Sequence, residues 1–181
     1  MTIIGVDPSI NSTGVCIKND NNVKYYNIVS RMTKKMQQFE SPYIKILRYN
    51  KSEIKNLDYT GKEIAKTNNI YNICQIIGSI MDIHKPDKLI MEGVSYSSNG
   101  SVVDLAGLNY CIRLLAKDRN INIEIVSPTS VKKFATGNGQ AEKDIMIDAW
   151  KRLDKNISNV KDIKIDDLAD SYFLANFKND I

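Results

Sequence analysis

Histidine and cysteine are scarce in this sequence, and what there is stands alone. His84 is the single histidine in 181 residues. It ends a helical stretch just before Lys85-Pro86, a position where histidine needs no catalytic explanation. With no histidine set beside a serine or cysteine nucleophile, covalent catalysis is disfavoured. The three cysteines, Cys16, Cys74 and Cys111, lie far apart in apolar stretches. An odd count without Cys-x-x-Cys spacing argues against a disulfide framework and a thiolate zinc site, leaving buried reduced thiols in a cytosolic protein. No apolar run approaches a membrane span, and the N-terminus lacks the basic-then-apolar pattern of a secretory signal. There are no internal repeats and no clear linker, so 1–181 reads as one domain.

The composition is that of an ordinary globular protein, 43% hydrophobic and 25% charged. The formal net charge of +4 is mild. It gains meaning only beside an acidic cluster, because a protein that meets DNA needs surplus positive charge elsewhere.

Three short β-branched segments open the chain: Thr2 to Asp7, Thr13 to Lys18 and Val23 to Ser30. Turn formers separate them, and the tight Asn19-Asp20-Asn21-Asn22 link predicts antiparallel pairing. Helical spacing over Gly61 to His84 ends at Pro86. Lys88 to Glu92 has the continuous apolar character of a buried strand. A helix over Ser101 to Arg119, a strand over Ile121 to Val126, and helices over Thr129 to Ala135, Glu142 to Leu153 and about Asp166 to Phe177 follow. The expected architecture is α/β: a mixed five-stranded sheet, three antiparallel strands then two parallel, flanked by helices. Periodicity fails between Arg31 and Tyr59. That stretch is rich in basic and aromatic residues and stands either as an insertion or DNA-contacting arm, or as a solvated charged segment.

Four acidic residues occupy the ends of separate elements. Asp7 closes the first strand and Glu92 the fourth, and strand carboxyl ends border the ligand crevice of α/β sheets. Asp167 and Asp170 are one helical turn apart and share a face. Each has a bland explanation. Asp7 and Glu92 precede turn formers, and acids in a first helical turn suit the helix dipole. Together they point elsewhere, since gathered like charges raise each other's pKa unless divalent metal offsets them. Hard oxygen ligands of this kind suit Mg²⁺ or Mn²⁺ and phosphoryl chemistry.

Gly5-Val6-Asp7-Pro8-Ser9, followed by Ser12-Thr13-Gly14, resembles the opening motif of RuvC-type Holliday junction resolvases. Glu92-Gly93-Val94 is similar to their second acidic motif. The segment Val131 to Lys143 (VKKFATGNGQAEK) is similar to their lysine- and glycine-bearing segment, and Asp167-Leu168-Ala169-Asp170 to their closing Asp-x-x-Asp. The resemblance implies an RNase H-like fold, a homodimer, and paired incisions across four-way or branched DNA in the cytoplasm of a bacterial cell or phage-infected host. It implies Asp7, Glu92, Asp167 and Asp170 as catalytic metal ligands for Mg²⁺ (Mn²⁺ substituting), two ions per site. Lys132 and Lys143 match the family's functional lysines. Ser12, Tyr96, Lys132, Lys133, Gly137, Asn138, Gly139 and Lys143 are the expected DNA contacts. Asp166 falls out of frame with the motif and is left aside.

Two departures bear on substrate choice. Bacterial members commonly carry an aromatic residue three positions after the glutamate, where this chain has Ser95. Tyr96 then stands either as a substitute base-stacking group or as a surface tyrosine. The long 31–59 segment adds basic groups and suggests a range extending to other branched DNA. Two further enzyme and binding readings remain beside the resolvase: an RNase H-fold nuclease on RNA or RNA–DNA hybrids, and a junction-binding protein that does not cut. The Ser101 to Arg119 helix has more apolar residues than one stripe needs. It serves either as a dimer interface or as a helix buried within the monomer.

Overall fold

The computed structural model describes residues 1–20, 22–94, 102–157 and 166–178. Six strands form one sheet: β1 (Ile3–Asp7), β2 (Ser12–Asn19), β3 (Asn22–Val29), β4 (Ile44–Arg48), β5 (Lys88–Glu92) and β6 (Asn122–Val126). Their spatial order is β4-β3-β2-β1-β5-β6. The helices are α1 (Lys34–Gln37), α2 (Tyr59–His84), α3 (Val102–Asp118), α4 (Pro128–Thr136), α5 (Lys143–Leu153) and α6 (Asp166–Asn176). The antiparallel opening and the two later parallel strands follow the sequence expectation. The strand count does not: among the described residues there are six strands, not five.

The added strand is β4, inside the stretch where periodicity fails. It pairs parallel with β3 at the sheet edge, from Tyr25 opposite Ile44 to Val29 opposite Arg48. Ile44-Lys45-Ile46-Leu47-Arg48 is short, lies at the sheet edge and breaks its alternation at Ile46-Leu47. Only Ile44 is buried.

β1 pairs antiparallel with β2, and β2 with β3, while β5 runs parallel with β1, β6 with β5, and β4 with β3. Five of the six strands therefore share one direction. Their carboxyl ends lie along a single edge of the sheet, and β2 begins there.

Alternation along each strand divides the core in two. Ile4, Val6, Leu89 and Met91 pack with Ile73, Ile77, Leu108 and Ile112 of α2 and α3 on one face. Cys16, Tyr25 and Ile90 pack with Val131, Met146, Trp150, Leu168 and Phe173 of α4, α5 and α6 on the other. The second layer carries a buried polar link. Trp150 Nε1 donates to Tyr25 Oη at 3.0 Å, and Tyr25 donates to Asp154 Oδ2 at 2.5 Å. The link fixes the end of α5 against β3.

On α3 the inward stripe includes Leu108 and Ile112, while Val103, Tyr110 and Leu114 are exposed. One face of the helix is buried within the monomer and the opposite face is apolar and open. His84 ends α2 with its ring nitrogen 2.6 Å from Tyr26 Oη, a packing role. Among the described residues no helix is long and apolar enough to cross a membrane.

α6 touches the sheet backbone to backbone. A Cβ on Gly14 would lie 2.0 Å from the carbonyl oxygen of Asp167, and one on Gly5 would lie 2.3 Å from that of Ser171. No side chain fits at either place, so both strands present bare backbone to the helix. Asp167, Ser171 and Ala175 form the i, i+4, i+8 stripe that rides on them. Gly14→Ala is predicted to push the first turn of α6 off the sheet, costing roughly 1–3 kcal/mol. Calorimetry should show the melting temperature fall by roughly 3–9 °C; an unchanged melting temperature would mean the helix is not held this closely.

Candidate active site

Period-two alternation decides which face each acid takes. Gly5 and Asp7 share a face of β1, as Ile90 and Glu92 share a face of β5, and both point toward α6. A slip of one residue in either strand would turn its carboxylate to the opposite layer. Asp7 is the cross-strand partner of Gly14, over which the backbone of Asp167 sits. Asp170 follows one turn later on α6. The four acids predicted from sequence therefore meet at the carboxyl edge of β1 and β5.

Local hydrogen bonds hold the frame. Beyond Asp7 the chain turns sharply, with Thr13 Oγ1 donating to the Ser9 carbonyl at 2.6 Å and the Ser9 amide returning to Thr13 Oγ1 at 3.1 Å. The end of β5 is pinned by Asn109 Nδ2, which donates to the Glu92 carbonyl at 2.9 Å, and by the Gly93 amide donating to Val126 at 2.9 Å.

The electrostatics record the crowding. Burial, and then the carboxylates of Asp170, Asp167 and Glu92, hold Asp7 well above the ordinary carboxylate range, against the pull of Lys143. Burial and then Asp170 push Glu92 up to about 7, with Lys132 opposing. Asp170 rises to about 6, chiefly by burial; Asp167 and Asp166 add to the rise, while Lys143 and Lys132 oppose it. Lys132 and Lys143 are thus close enough to act on the cluster and offset part of its charge. Lys143 Nζ donates to Asp166 Oδ2 at 2.8 Å, which raises the lysine's own pKa. Asp166, left aside on sequence grounds, is therefore the residue that orients Lys143. Only tertiary structure could have revealed a pairing across 23 residues.

The donor set fits a hard divalent cation, because all four acids offer carboxylate oxygens, and Asp7, Glu92 and Asp170 resist ionising, through burial first and then the neighbouring acids. Among the described residues no three such side chains stand close enough to grip an ion as they are. Electrostatic coupling among the acids acts over longer distances than coordination.

The remaining predicted contacts divide. Lys133 is exposed on α4 beside Lys132. Gly137 ends α4 with φ of 80°, the left-handed conformation that glycine adopts without strain, and its amide donates to the Lys133 carbonyl at 2.8 Å. Asn138 organises the next turn by accepting from the Gln140 amide at 2.9 Å. Gly139 packs against Thr129. This loop sets the direction from Lys132 to Lys143. Ser12 is buried, with its hydroxyl 3.4 Å from Asn27 Oδ1, so it braces the sheet end instead of facing solvent. Tyr96 lies outside the described residues.

Comparison with known proteins agrees with this fold. The profile of the crossover junction endodeoxyribonuclease RuvC family matches residues 3–175. Among individual relatives, the crossover junction endodeoxyribonuclease RuvC of Helicobacter pylori strain G27 is 24% identical over 92% of this chain and 90% of its own length. That of Caldicellulosiruptor saccharolyticus is 24% identical over 97% and 90%. The Dictyoglomus thermophilum protein reaches 30% identity, but over 55% of this chain, which spans 61% of that relative's length. A solved structure of T. thermophilus RuvC in complex with Holliday junction substrate superposes with a TM-score of 0.61 at 14% identity, over 97% of this chain and 90% of that one. At that identity the superposition establishes the shared fold.

A raised carboxyl pKa has a definite sign for stability. Folded Glu92 keeps its proton up to about 7, whereas its ordinary value is 4.5. The penalty of burying it is absent below pH 4.5, grows between 4.5 and 7, and is complete above 7. Glu92→Gln is therefore predicted to stabilise the protein in EDTA by on the order of 3 kcal/mol above that range, and by little at pH 4. Thermal melts at both pH values check this; an equal gain at each, or a loss at high pH, would contradict it.

Proposed function

The chain belongs to the RuvC family of crossover junction endodeoxyribonucleases, and from that membership we propose that it resolves four-way (Holliday) junctions in DNA by paired phosphodiester hydrolysis. The observation that carries the reading is the meeting of Asp7, Glu92, Asp167 and Asp170 at one sheet edge with Lys132 and Lys143 beside them. The family is metal-dependent, and the finer assignment is Mg²⁺, with Mn²⁺ substituting and two ions per site. Asp7, Glu92, Asp167 and Asp170 would hold them. A bound divalent cation supplies charge neutralisation at the scissile phosphate and lowers the pKa of a nearby water.

The chain's own groups do the rest. The rigid ends of β1 and β5 fix two carboxylates, and the close seating of α6 fixes two more, so the donors are positioned before substrate arrives. Lys143, steadied by Asp166, places a cation where negative charge develops on the transferring phosphoryl group. Lys132 supplies a second cation from α4, with exposed Lys133 next to it. The ordered Gly137–Gly139 turn holds both helices at the mouth of the site.

Two symmetric cuts need two sites, and a two-fold dimer presents them to two equivalent strands. The open apolar face of α3, with Val103, Tyr110 and Leu114, is the surface assigned to that contact. The working unit is thus a homodimer on junction DNA in the cytoplasm of a bacterial cell or a phage-infected host.

A synthetic four-way junction tests the proposal. Wild-type protein is expected to nick opposed strands symmetrically with Mg²⁺ and to leave the junction whole in EDTA. Asp7→Asn should bind without cutting, and Lys143→Ala should lower kcat by roughly 10²–10³-fold, the loss typical of one transition-state electrostatic contact. Symmetric nicking that survives in EDTA or in Asp7→Asn would overturn the assignment. So would cleavage of RNA–DNA hybrids with the junction left intact.

A further inference from the structure

A concavity with charged groups on a largely apolar floor that includes Ile54 opens on the same edge of the sheet as the carboxylates, and the proposed function leaves it unassigned. It is a cleft of about 570 Å³ lined by Ser30, Arg31, Lys51, Ser52, Glu53 and Lys55 among others. Three cations face one carboxylate there, a local surplus of two positive charges in a chain whose whole net charge is +4. Among the described residues none of Arg31, Lys51 and Lys55 takes part in an ion pair.

The walls are built into the sheet end. The Ser30 amide donates to the Asn11 carbonyl at 3.0 Å, and Lys51 Nζ donates to Asn11 Oδ1 at 2.6 Å. Tyr49 Oη donates to the Ile10 carbonyl. Ile10 and Asn11 belong to the turn that leaves Asp7, so the cleft is tied to the loop that carries a candidate catalytic acid. On its outer side the Ser52 amide donates to Asn69 Oδ1 of α2 at 2.7 Å, and Asn72 Nδ2 donates to the Asn50 carbonyl at 3.0 Å. These anchors, from Tyr49 to Ser52, fix the start of the segment after β4 on the same stretch of surface as Ser30 and Arg31.

Strand spacing gives the distance to the acids. Ser30 and Arg31 follow β3, and Lys51 to Lys55 follow β4, which lie two and three strands from β1. At about 4.8 Å per strand that is about 10–14 Å from Asp7. With about 3.4 Å of rise per nucleotide along one DNA strand, the separation corresponds to about three to four nucleotides. Lys132 and Lys143 flank the acids on the α4 and α5 side. A strand cut at Asp7 would therefore meet positive charge in both directions.

We propose that this cleft is a phosphate-binding subsite that takes the DNA backbone three to four nucleotides from the cleaved bond, through Arg31, Lys51 and Lys55. The inference rests on the nuclease reading. It assigns the 31–59 segment a specific role, that of gripping one junction arm outside the catalytic edge.

Binding measured in EDTA isolates the subsite from chemistry. Titrate a fluorescent four-way junction, and separately a linear duplex, with the full chain over a range of salt concentrations. Replacing Arg31→Ala with Lys55→Ala removes two phosphate contacts, while Lys51 is left to brace Asn11. Junction affinity should fall about 10- to 100-fold near 0.1 M salt, and the log–log salt slope should shrink by about 2. A second double, Lys24→Ala with Lys45→Ala, removes equal charge from the opposite end of the sheet, where both lysines face His84. It should leave the slope near wild type. The charge-keeping pair Arg31→Lys with Lys55→Arg should bind as wild type does, which guards against loss of folding. An unchanged slope in the Arg31/Lys55 alanine double overturns the proposal. So does an equal loss in both alanine doubles, because the effect would then be net charge alone. Should wild-type protein leave junctions uncut in Mg²⁺, the nuclease reading falls, and the cleft is still decided by the two doubles on linear duplex.

Discussion

The close seating of α6 on the bare backbone of β1 and β2 is the constraint on which the rest depends. Gly5 and Gly14 leave no room for a side chain, and Asp167, Ser171 and Ala175 occupy that space with their main chain. Helix and sheet usually meet through interlocking side chains, which would hold the axis of α6 farther away. Here the first turn of the helix lies directly above the cross-strand partner of Asp7. That closeness turns four acids from distant segments into one set. Their mutual repulsion follows from it, and adds to the burial that raises the pKa values of Asp7, Glu92 and Asp170.

Holding these carboxylates together works against folding, since the unfolded chain separates and hydrates them. Opposing terms lie close by. Two apolar layers sandwich the sheet, Tyr25, Trp150 and Asp154 lock the end of α5, and Lys132 and Lys143 offset part of the negative charge. Under the proposed function, the site is a place where stability is given up in order to bind cations. On the other side of β1, the turn from Pro8 to Asn11 joins the acids to a basic wall contributed by the segment after β4.

Much of this was legible beforehand. Asp7 and Glu92 stand at the ends of apolar runs, and strand alternation fixes the face that each takes. The i, i+3 spacing of Asp167 and Asp170 needs only helical geometry. Other parts depended on contacts that the sequence does not display. β4 escaped because Ile44 to Arg48 is a short edge strand with one buried residue, flanked by basic and aromatic groups that read as surface. Asp166 looked like a redundant first-turn acid until Lys143 was seen to reach it. Ser12 sits within the opening motif yet turns inward to Asn27, because its strand alternation, not its motif position, sets its direction. Arg31, Lys51 and Lys55 were visible as charge and invisible as a cleft, since parallel pairing of β4 with β3 is what brings them together.

The coupling among the acids is the claim most open to direct measurement. Carboxyl-selective NMR in EDTA can follow the titration of Glu92 in the wild-type chain and in Asp170→Asn. The account predicts a midpoint near 7 in the wild type and a clear downward shift once Asp170 is neutralised. A Glu92 that titrates at its ordinary value of 4.5, indifferent to Asp170, would show that α6 does not bring its acids to the strand ends.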